Sequence, residues 1–197
     1  MALPLLLFAA AAAAPPASPS GPGRVFLSPM GEPFAGRTAG EDGIVPWFEG
    51  ADRNHDGILS VDEITADAAR FFGTLDTNHD GEIDPDEVAH YEQVIAPEVR
   101  TGSEVAVGRY ALLQIPEPVT SADSDFNRGV SAKEFQAAAV ARFRLLDFEH
   151  TGRLTRDALE RIRHSAASAA QRPPSNKGDP DDQAVLQGDE VDQNAPM

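Results

Sequence analysis

Between about residues 44 and 166, apolar side chains recur at helical offsets, and no stretch alternates for long enough to build a sheet. Ile44, Trp47, Phe48 and Ala51 share one face of a short helix, and Ala68, Phe71, Phe72 and Leu75 share one face of another. Each face stops where a run of acids begins. The pattern predicts unbroken helices at about 61–75 and 132–146, hence an all-α fold. ALLQIPEPV, 111–119, carries Pro116 and Pro118 and suits an extended connection leading into a short helix. Residues 15–43 are rich in Gly, Pro and Ser without sustained periodicity and are expected to lie loosely on the domain as a linker. From about Ser165 onward the chain is polar, acidic and free of aromatics, so it is expected to stay disordered for want of apolar surface to bury. The expected organisation is a signal-like segment at 1–17, a linker at 18–43, paired units at 44–100 and 101–166, and an acidic tail at 167–197.

The acid runs between the helices change the picture. DRNHDGILSVDE at 52–63 and DTNHDGEIDPDE at 76–87 place Asp, Asn, Asp, Gly and Glu at the same offsets, and six of the twelve side chains in the second are carboxylates. Such a cluster repels itself unless a cation sits inside it, and its repetition in register marks a site rather than a composition. The formal net charge of −16 argues against nucleic acid or an anionic membrane as partner. With no cysteine in the chain, thiolate sites are excluded and a bound metal must take oxygen ligands.

Both runs follow D-x-[DN]-x-[DN]-G-x5-E and so resemble the twelve-residue calcium loop of the EF-hand superfamily. The resemblance implies that oxygens from positions 1, 3, 5, 7, 9 and 12 surround Ca2+. In the first loop these belong to Asp52, Asn54, Asp56, the Ile58 carbonyl, Ser60 and Glu63. In the second they belong to Asp76, Asn78, Asp80, the Glu82 carbonyl, Asp84 and Glu87. Gly57 and Gly81 stand at position 6, where the chain turns through positive φ. The flanks agree: the helical apolar faces precede each loop, and Leu59 and Ile83 fill position 8. His55 and His79, at position 4, are expected to face solvent and bind nothing.

DSDFNRGVSAKE, 123–134, resembles a third loop, with Asp123, Asp125, Asn127, the Gly129 carbonyl, Ser131 and Glu134 as ligands. Arg128 holds position 6 and the glycine has slipped to position 7, so a weaker site is expected, since positive φ at a non-glycine residue costs on the order of 1 kcal/mol. DFEHTGRLTRDA, 147–158, keeps Asp147, Glu149, Thr151, Gly152 and Leu154 but has Ala158 in place of the closing glutamate. It is expected to fold like the others and to hold no ion, or to bind Ca2+ only at high millimolar concentration.

The loop starts lie 24 residues apart in both pairs, a spacing that resembles bacterial EF-hand proteins and leaves room for one shared helix between loops. A rigid helix keeps the loops at its two ends apart. In this family loops normally meet at position 8, so the first is expected beside the fourth and the second beside the third, with Leu59 against Leu154 and Ile83 against Val130.

The resemblance implies a calcium-binding protein without catalytic role. A glycosidase-type carboxylate pair would need a cleft and a raised pKa, whereas an ion holds these groups ionised. Two roles stay open: a structural or buffering protein, and a calcium-triggered adaptor that binds a protein partner. The three methionines, Met1, Met30 and Met197, all fall outside the predicted helical units, which favours the first, because sensor grooves use methionine. MALPLLLFAAAAAAPPASPS at the N-terminus resembles a secretory signal that lacks a basic start and is too short to span a bilayer. A periplasmic or secreted location is expected if it is processed, a cytoplasmic one if it is not.

Overall fold

The computed structural model describes residues 24–100 and 111–170; the signal-like segment and residues 171–197 lie outside the described residues, whereas 165–170, expected to be disordered, continue the last helix. Its frame is a pair of long helices, α2 (Val61–Leu75) and α5 (Ala132–Leu146), packed against each other. Shorter helices α1 (Ile44–Ala51), α3 (Pro85–His90) and α4 (Pro97–Arg100) complete the first half, and α6 (Arg156–Ala170) closes the second. A π turn, Tyr91–Ile95, continues α3.

Local chemistry sets the helix ends. Ser60 and Ser131 cap α2 and α5 through reciprocal bonds with Glu63 and Glu134, three residues on, each box satisfying two orphan amides. The C-terminal amide of each helix falls on an aspartate that opens a loop: Asp52, Asp76 and Asp147 donate to the carbonyls of Phe48, Phe72 and Phe143 at 2.8–2.9 Å. Along α2 the buried apolar residues are Ile64, Ala68, Phe71, Phe72 and Leu75, one face as the periodicity predicted. They meet Phe135, Ala139, Phe143 and Leu146 of α5, with Phe135 5.8 Å from Phe72 and 6.2 Å from Phe71 between ring centroids.

The helix from 61 to 75 is unbroken through Asp67, whose carboxylate accepts a bond from Trp47 Nε1 at 3.0 Å. The loops at its ends are therefore kept apart, and each finds its partner in the other half of the chain. Strand β3 (Ile58–Leu59) pairs antiparallel with β6 (Leu154–Thr155), setting Leu59 opposite Leu154. Strand β4 (Glu82–Ile83) pairs with β5 (Val130–Ser131), setting Ile83 opposite Val130. All four position-8 side chains are at most 2% exposed. With one ladder at each end of the α2–α5 pair, the two long helices run antiparallel.

Two expectations need correction. The fold consists of helix–loop–helix units, but it is not free of strands: besides the two loop ladders, β1 (Val25–Leu27) and β2 (Pro33–Ala35) form a hairpin. That hairpin lies in the stretch 18–43 expected to be a loose linker, and it is part of the core. Phe26 and Leu27 are buried, and Phe26 packs on Trp47 with ring centroids 5.2 Å apart. Distant polar groups tie it down. Tyr91 Oη donates to the Gly31 carbonyl at 2.7 Å, Arg142 Nη1 to that of Pro29 at 2.8 Å, and Arg163 Nη2 to that of Val25 at 3.0 Å. Arg163 also pairs with Asp42. Three-residue strands are too short to declare a period, so their order comes from these long-range bonds. Met30, outside the predicted units, is consequently a core residue. The connection at 111–119 is likewise anchored, with Ala111, Leu112 and Val119 buried, and it leads into a single 3₁₀ turn, Thr120–Ala122, in place of a full helix.

Candidate metal centre

Each loop wraps its backbone around the carboxylate at position 1. Asp52 accepts from the amides of Asp56 at 3.2 Å and Gly57 at 2.9 Å, and Asp76 from those of Asp80 at 3.2 Å and Gly81 at 3.1 Å. Position 5 fixes the strand entrance: Asp56 and Asp80 accept from the amides of Ile58 and Glu82 at 2.9 and 3.0 Å. Gly57 and Gly81 take φ of +78° and +92°, which brings the amide towards the first aspartate. His55 and His79 are exposed at position 4, away from the ligand set.

The closing glutamates reach back across the loops. Glu63 accepts from the amides of Arg53 and Asn54 at 3.1 and 3.4 Å through one oxygen, and from the amide and hydroxyl of Ser60 at 3.0 and 2.8 Å through the other. Glu87 does the same with Thr77, Asn78 and Asp84. One pair of residues thus serves two purposes: positions 9 and 12 of the loop are also the N-cap and N3 residues of the helix that follows. An ionised carboxylate offers about four lone-pair sites, and four donors already converge on each of Glu63 and Glu87, so a bound cation would take the place of some of them. Burial pushes the carboxyl groups of Glu63 and Glu87 upward, but the converging amide and hydroxyl donors outweigh it and hold both below the ordinary range. Asp52, Glu63, Asp76 and Glu87 are buried, with no arginine or lysine paired to them among the described residues.

The third loop keeps this architecture despite its displaced glycine. Asp123 accepts from the amides of Phe126 at 2.7 Å and Arg128 at 3.0 Å, and Arg128 adopts φ +80° where the other loops have glycine. A Cβ at Gly129 would lie 2.9 Å from the Glu82 carboxylate, the far end of a flexible side chain that reaches across the β4–β5 ladder, so a larger residue there would only displace that carboxylate. Glu134 closes the loop onto Ser131 and Ser124, whose amides and hydroxyls hold its carboxyl down at about 2. Oxygens of Asp123, Asp125 and Glu134 lie within 4.8 Å of one another, a spacing that fits a sphere of about 2.4 Å radius, the Ca2+–oxygen distance.

The hydroxyls of Thr77 and Ser124 on the closing glutamates, both 2.9 Å, had no place in the sequence expectation. Their signal was a hydroxyl residue at position 2 of a loop whose position 12 is glutamate. Loop 147–158 begins like the others, with Asp147 accepting from the amides of Thr151 and Gly152 at 3.0 and 2.6 Å. At its far end the Thr155 hydroxyl accepts from the Ala158 amide at 3.3 Å, and no carboxylate folds back over it among the described residues.

The candidate ligands Asp52, Asn54, Asp56, Ser60 and Glu63 are joined by hydrogen bonds within one turn of chain, as are Asp76, Asn78, Asp80, Asp84 and Glu87. Hard oxygen donors alone make up these sets, which suits a hard divalent cation and leaves nothing for a soft one. The family model described as EF hand matches residues 44–66 and 68–89, which enclose the first two loops. No curated protein matches the chain.

Proposed function

We propose that this chain, whose residues 44–66 and 68–89 match the EF-hand family model, binds Ca2+ in its first two loops, and more weakly in its third, in a structural or buffering role without catalysis. The observation that carries the reading is the construction of the loops. In three of them a buried or hydrogen-bonded glutamate is delivered to the loop mouth by the helix cap that the fold already needs. Bound Ca2+ would neutralise the repulsion among carboxylates gathered in one loop, and in the third loop oxygens of Asp123, Asp125 and Glu134 lie within 4.8 Å of one another. Asp52, Asp56 and Glu63, with Asn54, Ser60 and the Ile58 carbonyl, supply the first set; the second replaces Ser60 by Asp84 and so carries one more charge.

A structural role is favoured over a switch by the shared core. Loops at opposite ends of α2 and α5 rest on one layer of Phe71, Phe72, Phe135 and Phe143. Neither half can open a groove without breaking the packing of the other. Against it, Phe126 is 87% exposed within the third loop, which favours the calcium-dependent adaptor as second reading. Calorimetric titration with Ca2+ tests the first statement, with a stoichiometry of two tight sites and one weaker site expected. Absence of binding would overturn it. A fluorescent apolar dye separates the roles: a structural protein shows no dye uptake on adding Ca2+, an adaptor shows a large one.

The apolar run at 1–17 supports export to the periplasm or beyond the cell. There Ca2+ is plentiful, and dissociation constants of about 10⁻⁴ to 10⁻³ M suffice. Cell fractionation showing an intact N-terminus on cytosolic protein would refute export.

A further inference from the structure

The degenerate fourth loop and α6 enclose an open groove of about 560 Å3. Leu146, Leu154 and Ile162 form its floor, and Phe148, 69% exposed at position 2 of the loop, stands at its wall. In the other three loops position 2 lies under a closing glutamate; here Ala158 leaves that place open and contributes to the groove instead. Arg153 and Arg161 also line it, and among the described residues neither guanidinium has an ion-pair partner. Asp147 and Glu149 line it as well, so its formal charges balance; the Thr151 and Gly152 amides fix the Asp147 carboxylate within its own loop, and neither acid pairs with Arg153 or Arg161. Two unpaired arginines beside an apolar trough are out of character in a chain of net charge −16.

We propose that this groove holds the chain's own acidic segment Asp181–Asp192, DDQAVLQGDEVD, which seats Val185 and Leu186 on the apolar floor and sets its flanking carboxylates near Arg153 and Arg161. The chemistry matches: the trough needs a short apolar pair between acids, and this stretch has Asp181 and Asp182 before the pair and Asp189 and Glu190 after it. The reach matches too. Helix α6 ends at Ala170, and returning to Ala158 along it takes about 18 Å. The ten residues from 171 to 180 span roughly 33 Å when extended. Tethering also raises the local concentration to the order of millimolar, so weak contacts suffice. A second copy of the chain is a poorer occupant, because it brings the same excess of negative charge at long range with no tether to offset it.

The test uses the full-length, Ca2+-loaded chain, whose lack of cysteine permits a single nitroxide label at Ala195→Cys. Amide resonances of residues 146–165 are expected to broaden more than about two-fold relative to the reduced label, as for a segment held at millimolar local concentration. Those of the second and third loops, at the opposite end of the helices, stay sharp. Leu186→Asp, or Arg153→Glu together with Arg161→Glu, should abolish the selective broadening while the rest of the spectrum stays folded. Uniform broadening, broadening indifferent to Leu186→Asp, or an effect that passes to unlabelled copies in a mixed sample would each overturn the proposal. The last of these would assign the groove to a second copy.

Discussion

Leu154→Ala tests whether a loop that lacks its closing glutamate sustains a site that has one. Leu154 is 2% exposed and faces Leu59 across the β3–β6 ladder, so truncation leaves a void between two loops with little freedom to collapse. Truncating a buried leucine costs about 2–5 kcal/mol of global stability. Part of that cost falls on the geometry of Asp52 to Glu63, because Leu59 sits between the Ile58 carbonyl and Ser60, both candidate ligands. If about 1–2 kcal/mol reaches the ion, affinity at the first site drops by about 5- to 30-fold. The 15 residues of α2 put the second loop roughly 22 Å away, so its affinity should change less than about two-fold. Trp47, the chain's single tryptophan, lies on α1 just ahead of Asp52, and its fluorescence is the nearest optical reporter of the first site. Calorimetry counts the others. Equal weakening at all sites, or an unchanged first site in a folded variant, would refute the coupling through the ladder.

Glu87→Gln should remove one tight site from the calorimetric stoichiometry and leave the first intact, since the two loops share no ligand; adding Glu63→Gln should remove the other. Chelation should lower the melting temperature, because an ion at one hundred times its dissociation constant stabilises the fold by about 2.7 kcal/mol per site; a midpoint indifferent to chelator would contradict occupied sites. In chelator, stability should also fall on acidification. Glu63, Glu87 and Glu134 have folded pKa values below the ordinary 4.5, so their contribution is complete above pH 4.5 and is lost as pH falls towards the folded values, about 2 for Glu134. Circular dichroism melts at pH 5 and 3 give the sign, and a rising midpoint would mean that relief of charge repulsion dominates. Arg142→Met should destabilise by about 3 kcal/mol, because the Pro29 and Pro118 carbonyls lose their buried donor. Hydrogen exchange should then rise first at residues 25–35.

The spacing of acids within twelve residues and the position of each capping residue, Ser60, Asp84 and Ser131, determined the loops without help from the rest of the chain. Such contacts span at most ten residues, so a local pattern contains both partners: Glu63 with Arg53, Glu87 with Thr77, Glu134 with Ser124. The 24-residue spacing fixed the α2 and α5 lengths, and rigid helices of that length left the ladder partners little choice. Beyond the helical period, the hairpin at 25–35 had no local signature. Its strands are three residues long, and it is ordered by Tyr91, Arg142 and Arg163, which lie 60 to 138 residues away. The same holds for Arg142, a charge that looks in sequence like a solvated residue of α5. Burial lowers its pKa to about 10, and it is kept inside by carbonyls from two segments that no periodicity connects. Gly129 shows the division within a single residue: read along the chain it is a glycine out of place, and only the fold brings the end of the Glu82 side chain from the paired loop up to it. Interactions within one helical turn or one loop are written in adjacent letters, whereas those that close the core depend on which distant surfaces the long helices bring together.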